Sequence, residues 1–141
     1  MELNLVATAT VTIKASVTKI WHALLDPEAI KQTMFGTIVT SQWQVGSPIT
    51  WEGEFKGKKY KDHGVILDLE REKRLRYSHF SPLGGKKDLP ENYHTVTVSL
   101  ATQGASTVVS LSQDGNHSEE SRQESEKNWQ AMLESLKMML E

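Results

Sequence analysis

The sequence predicts an α+β fold in which an antiparallel sheet is covered on one face by a long C-terminal helix. Three observations support this. Residues 1–14 alternate loosely between apolar and polar types, strand-like segments with tight turn signals fill residues 37–117, and apolar residues recur every three or four positions from 129 to 140. Alternation is typical of a half-buried strand, and the wider spacing is typical of a helix with one apolar face. A sheet of this size needs a cover, which the long helix provides.

The N-terminal part of the chain predicts one strand followed by two short helices. One side of the strand carries Leu5, Ala7, Ala9, Val11 and Ile13. Ser16 can cap the first helix, whose apolar residues follow the i, i+3, i+4 pattern. Asp26 and Pro27 end that helix, because proline disfavours helical geometry in the residue before it. Pro27 also suits the first position of a second helix, which we expect to run from Glu28 to about Met34.

Four turn signals divide residues 37–117 into strands. They lie at 45–48, 56–58, 70–73 and 103–105, where Gly, Pro or charged residues cluster. Together with the segment SPLGGKKDLPEN at 81–92, they leave six strands. That segment is longer than the median connection, and we expect such a loop to be mobile or functional.

The last segment predicts one long helix. Ser118 can cap it, and the charges of Glu119 and Glu120 favour a helix N-terminus. Its apolar stripe consists of Trp129, Met132, Leu133, Leu136, Met139 and Leu140. No Gly/Ser-rich linker or repeat interrupts the order of strand, two short helices, six strands and long helix, so we expect a single domain over residues 1–141.

Composition excludes several classes of function. The net charge of −2 gives no field that would attract nucleic acid, and no segment is apolar for the roughly 18 residues of a membrane span. The chain has no cysteine, which removes disulfides, thiol nucleophiles and Cys-ligated zinc, and its N-terminus lacks the pattern of a signal peptide. We therefore expect a cytoplasmic protein without nucleic-acid partners.

Two aromatic residues of the segment 49–55 are candidates for a binding site. Successive strand residues point to opposite faces, so Trp51 and Phe55 share the inward face with Ile49. They are either ordinary core or the wall of a cavity, and the pattern leaves both open. Trp43 precedes a turn, and we expect it to pack at the end of the sheet.

Polar candidates are few. Tyr77 and His79 share one strand face, and we predict that both touch a cavity, although a histidine there can also be a satisfied core residue. Asp62 and His63 are adjacent on a strand and point to opposite faces, with Gly64 expected at a bulge. The five histidines show no metal-ligand spacing, and neither a nucleophile elbow nor a phosphate loop is present, so we expect no metal or cofactor.

The order of elements and the residues at their joints resemble the START-like helix-grip superfamily, also called SRPBCC, which includes the major birch pollen allergen. Within it, the chain resembles the branch named for the activator of heat-shock protein 90 ATPase. The residues that carry the resemblance are Val11, Ile13 and Ala15; Ile20-Trp21, Ala23-Leu24 and Asp26-Pro27-Glu28; Trp43 and Gly46-Ser47; Trp51 and Gly53-Glu54; Tyr60, Asp62, Gly64 and Ile66; Leu75 and Tyr77-Ser78; and Trp129, Met132-Leu133 and Leu136-Lys137. His79 departs from the family, which often has an aromatic residue there.

The resemblance implies a curved sheet that grips the C-terminal helix, with a hydrophobic cavity between them that members use for apolar molecules. We therefore predict a ligand-binding domain. Its expected contacts are Trp51, Phe55, Tyr77, His79, Trp129, Met132, Leu133 and Leu136, with Met34 and Phe35 near an entrance partly closed by the loop 81–92. Two alternatives stay open: an interaction module related to the co-chaperone, and a small cyclase or isomerase. All three are compatible with a monomer or a homodimer.

Overall fold

Seven antiparallel strands form one sheet in the computed structural model, which describes residues 5–141 except for the side chain of Phe55. The strands are β1 (Leu5–Ile13), β2 (Ile38–Ser41), β3 (Pro48–Phe55), β4 (Lys58–Glu70), β5 (Arg74–His79), β6 (His94–Gln103) and β7 (Ser106–Asn116). The helices are α1 (Val17–Leu25), α2 (Pro27–Thr33) and α3 (Glu119–Leu140). The spatial order β1-β7-β6-β5-β4-β3-β2 leaves β1 and β2 at the two edges. The predicted fold class and element order are confirmed.

Local capping residues fix where the helices begin. The side chain of Ser16 accepts a hydrogen bond from the Lys19 N–H at 3.2 Å, which satisfies a donor that the first turn of α1 leaves free. Asp26 ends α1 and caps α2, and Pro27 is the first residue of α2. Ser118 caps α3 by accepting from the Ser121 N–H at 3.0 Å. Three short sequence signals thus place all three helices.

The core lies between the inner face of the sheet and the helices. In β1 the residues Ala7, Ala9, Val11 and Ile13 are buried, alternating with exposed neighbours. From α3 the side chains of Met132, Leu133 and Leu136 are buried in the same cluster, while Trp129 is half-buried against it. The helix stripe and the strand alternation therefore meet in one hydrophobic core.

Gly64 sits in β4 where this strand comes very close to β5. A Cβ atom at position 64 would lie 1.7 Å from the carbonyl oxygen of Ser78, a distance that no side chain can occupy. The predicted bulge at Gly64 is wrong, because the register between β4 and β5 shifts between Ile66 and Asp68, so that Leu67 is the extra residue. Gly64 is needed for close backbone approach instead.

Asn116 ties both ends of the chain together. It is 1% exposed, and its amide donates to the carbonyl oxygens of Leu5 at 3.0 Å and Gln113 at 3.1 Å. Its side-chain oxygen accepts from the Ser125 hydroxyl at 2.9 Å, which fixes the first turns of α3 to the sheet.

Within residues 5–141, no helix is both long and apolar enough to cross a membrane.

Candidate functional site

A cavity of about 40 Å³ lies between the inner face of the sheet and α3. Its wall is almost entirely apolar, and it is formed by three of the four tryptophans, two methionines and aliphatic residues. The lining residues are Ala23, Leu24, Ile30, Thr33, Met34, Val39, Trp43, Ile49, Trp51, Leu75, Tyr77, Val98, Trp129, Met132 and Leu136. Six of the predicted contacts are among them: Met34, Trp51, Tyr77, Trp129, Met132 and Leu136.

The sheet side of the cavity is centred on Trp51. This residue lies on the inward face of β3 and is 5% exposed. Its ring centroid is 5.0 Å from that of Tyr77 on β5, so the two rings pack across β4. Aromatic pairs at this separation contribute beyond their buried area. The pair forms a firm wall opposite α3.

The helix side is held in place by Trp129. Its indole N–H donates a hydrogen bond to the side-chain oxygen of Gln113 on β7, which anchors the polar edge of the ring while its apolar body faces the cavity. Met132 and Leu136 follow at spacings of three and four residues, and therefore lie on the same face of α3.

Four of the lining residues are only half-buried, namely Leu24, Met34, Trp43 and Trp129. Nine of the fifteen lining residues are not among the predicted contacts, and of these Trp43 is the one that sequence reasoning placed elsewhere, at the end of the sheet. Its φ of +53° is left-handed, which is uncommon for a bulky side chain, and its indole is part of the cavity wall. No sequence pattern predicts a left-handed tryptophan.

The side chains that line the cavity leave little free volume between them. Ligand pockets usually measure about 300 Å³ or more, whereas 40 Å³ is room for only a few water molecules. A ligand of ordinary size therefore requires lining side chains to move. Met34 and Met132 suit this, because the unbranched thioether adapts to many shapes.

His79 is not part of the cavity wall. Its Nε2 lies 2.9 Å from Oδ2 of Asp62, and its ring packs edge-on against Trp51 at 5.0 Å, so the indole separates it from the cavity. The other carboxylate oxygen, Asp62 Oδ1, is buried without a hydrogen-bond partner among residues 5–141. The geometry is that of a histidine held by a carboxylate behind the aromatic wall.

The remaining predicted contacts lie elsewhere. Leu133 is fully buried in the core and does not line the cavity. Phe35 is 74% exposed and left-handed at φ +54°, and it does not line the cavity. The side chain of Phe55 lies outside the described part of the structure.

The loop 81–92 covers a different part of the molecule from the one predicted. None of its residues lines the apolar cavity. It lines a second, more polar cavity of about 200 Å³, whose wall includes Phe80, Lys86, Tyr93, His94, Asn116 and Ser121. This cavity lies beside the N-terminus of α3, so the loop closes the end of the sheet and not the apolar entrance.

The same loop is fastened to the outer face of β4. The ring of Tyr93 stacks on that of Phe80 at 5.1 Å and meets His63 edge-on at 5.9 Å. Asp88 accepts a hydrogen bond from the Tyr93 hydroxyl at 2.5 Å and lies 3.4 Å from Nε2 of His63. The hydrogen bond to Asp88 raises the pKa of Tyr93 to about 12. His63 and Asp62 therefore serve opposite faces, as predicted from strand alternation.

His94 lies in the wall of the polar cavity, and its pKa is lowered. Burial is the main cause that lowers its pKa, against a hydrogen bond between Nδ1 and the Asp114 carbonyl oxygen at 2.9 Å; His79 and Lys86 also lower it. A lowered pKa means that the unfolded chain binds the proton more tightly, so stability is present above about pH 6.5 and is lost as the pH falls. We expect the free energy of unfolding to decline between pH 7.5 and 5.5, and to decline less in His94→Gln. Urea denaturation at both pH values measures this; equal declines in both proteins would contradict it.

Comparison with known proteins decides the family. The family model described as "Activator of Hsp90 ATPase homolog 1-like protein" matches residues 14–141. The chain belongs to this family. Among curated proteins, none matches the chain. In the part of the chain that the structure describes, no three His, Asp or Glu side chains converge as ligands for a metal ion.

Several solved structures have the same fold as this chain. A protein from Cytophaga hutchinsonii is 51% identical, with a TM-score of 0.87 over 99% of this chain and 96% of that chain. A protein from Chromobacterium violaceum is 20% identical, with a TM-score of 0.77 over 96% of each chain. The Aha1 dimer from Colwellia psychrerythraea is 23% identical, with a TM-score of 0.76 over 97% of this chain and 96% of that chain. The last two likenesses concern the fold alone.

Proposed function

We propose that this domain of the Activator of Hsp90 ATPase homolog 1-like family binds a small apolar molecule between the sheet and α3. The observation that carries the proposal is the apolar wall between two layers, in which Met34, Trp43 and Trp129 are only half-buried. Burying apolar surface favours binding by about 25 cal/mol per Å², from which the entropy lost on association is subtracted. We assign no catalytic step, because the Asp62–His79 pair lies behind Trp51 and does not line the cavity. A cytoplasmic location belongs to the same proposal.

Toluene tests this proposal, since it is apolar and small enough to need little rearrangement. In a nitrogen-15 NMR titration we expect the indole N–H signals of Trp43, Trp51 and Trp129 to shift, with a Kd on the order of 1 mM for so few atoms. Trp21 is the internal control, because it is 7% exposed and lies outside the wall of this cavity. Absence of shifts up to the solubility of toluene, or equal shifts at Trp21, would reject the proposal.

A second candidate is an interaction module that works through its surface. It is favoured by the nearly filled cavity together with the exposed side chains of Phe35, Val45 and Ile38, which are 74%, 63% and 52% exposed. The edge strand β2 adjoins these residues in sequence and has one unpaired side, which a second copy or another protein can use. Analytical ultracentrifugation of the chain with and without Phe35→Ser addresses this, since a homodimer through this surface would dissociate in the variant.

A further inference from the structure

The hydroxyl group of Tyr77 is the feature of the cavity that plain core packing leaves unexplained. Tyr77 lines the cavity and is only 7% exposed. Among residues 5–141, its hydroxyl has no hydrogen-bond partner. Tyrosine hydroxyls in apolar surroundings usually find a protein partner, and a hydroxyl without one is left to water. A position that needed only a ring to pack on Trp51 would be served by phenylalanine.

The rest of the wall limits what the partner can be. None of the fifteen lining residues carries a charged side chain. An ionised ligand would therefore be buried without a counter-charge, which is strongly unfavourable. The other hydroxyl in the wall, that of Thr33, already donates to the Ile30 carbonyl oxygen at 3.4 Å. Tyr77 is left as the free O–H donor, and a phenol is a better donor than acceptor. A phenol is protonated and able to donate at neutral pH, and burial raises the pKa of Tyr77 further.

We propose that Tyr77 donates a hydrogen bond to the ligand, and that the ligand is an uncharged, largely apolar molecule whose carbonyl oxygen accepts it. The inference rests on the proposed function, since it names the class of ligand for the same cavity. Water can serve the hydroxyl while the cavity is empty, and a ligand that displaces this water must supply an acceptor of its own or lose affinity. The hydroxyl therefore selects carbonyl compounds over hydrocarbons of equal shape.

Acetophenone and α-methylstyrene test this selection, because they differ only in C=O against C=CH₂. In Tyr77→Phe we expect the Kd of acetophenone to rise about fivefold, as for the loss of one hydrogen bond, and the Kd of α-methylstyrene to stay unchanged. The matched control is Tyr60→Phe. The hydroxyl of Tyr60 has a partner, the Thr37 hydroxyl at 2.6 Å, and Tyr60 does not line the cavity. We expect this control to leave both Kd values unchanged and to lower the Tm by roughly 3 °C, whereas Tyr77→Phe leaves the Tm unchanged.

The possible results distinguish failure of this inference from failure of the proposed function. An unchanged Kd for acetophenone in Tyr77→Phe, with both probes bound, would overturn the inference and leave the proposed function standing. An equal weakening of both probes would assign Tyr77 to packing and would also overturn it. If neither probe binds the wild-type chain, both the proposed function and the inference fail. The crossed pattern, in which Tyr77→Phe changes acetophenone affinity alone and Tyr60→Phe changes stability alone, is the supporting result.

Discussion

Gly64→Ala is expected to lower the free energy of unfolding by about 3 kcal/mol or more. This is a large effect for the addition of a single methyl group. The added Cβ would lie 1.7 Å from the Ser78 carbonyl oxygen, which belongs to the backbone of β5 and cannot rotate away. Strands β4 and β5 would have to separate in the middle of the sheet. The packing of Trp51 on Tyr77 spans this point, so the cavity wall would loosen as well. Urea denaturation followed by tryptophan fluorescence measures the loss.

Gly84→Ala is the matched control. It makes the same chemical change in the loop, where an added Cβ meets nothing within 4 Å and the backbone is not left-handed. We expect its stability to be unchanged or raised by up to about 1 kcal/mol, because alanine reduces the entropy of the unfolded chain. A Gly64→Ala variant as stable as Gly84→Ala would show that β4 and β5 are not as close as described.

Leu136→Ala is expected to cost about 3 kcal/mol of stability and at the same time to improve binding of apolar probes. Leu136 is 1% exposed and lines the cavity, so truncation adds its volume to the existing space. Dry apolar cavities made in this way accept small hydrocarbons. We expect toluene to bind about tenfold more tightly than to the wild-type chain, a gain of about 1.4 kcal/mol. Denaturation and the indole NMR titration measure the two effects on the same sample.

Two variants on the same helix separate these effects. Leu133 is fully buried but does not line the cavity, so Leu133→Ala should lose about 3 kcal/mol without a comparable gain in toluene affinity. Met138 is 81% exposed, and Met138→Ala should change neither quantity measurably. If Leu133→Ala improved toluene binding as much as Leu136→Ala, the space beneath α3 would be general looseness of packing and not a defined cavity.

The parts of the fold that sequence predicts are those set by local chemistry. Ser16, Pro27 and Ser118 mark helix boundaries because each acts on backbone groups within a few residues. The inward placement of Trp51 and Tyr77 follows from the alternation of strand residues, which needs no knowledge of the partner strand. These local rules are enough for the order of elements and for which side chains face inward, whereas the cavity itself is what the family resemblance implies.

The parts that sequence did not predict depend on contacts between distant residues. His79 was expected at the cavity, but Asp62, 17 residues earlier, holds its ring behind Trp51. The position of Trp43 depends on a left-handed backbone that its residue type disfavours. The sequence predicts the loop 81–92 at the apolar entrance, whereas it lines the polar cavity, where Tyr93 packs on Phe80; composition does not reveal this contact. The volume of the cavity likewise depends on how side chains from distant parts of the chain pack together.

The consecutive residues Asp62 and His63 also bear on how the sheet avoids incorrect pairing. Each faces a partner of the opposite kind, with Asp62 beside His79 on the inner face and His63 beside Asp88 on the outer face. A slip of β4 by one residue would exchange the two faces, because side chains alternate along a strand. A slip in one direction would bring His63 beside His79, and a slip in the other direction would bring Asp62 beside Asp88. These two neighbouring residues therefore disfavour a slip of β4 by one residue in either direction.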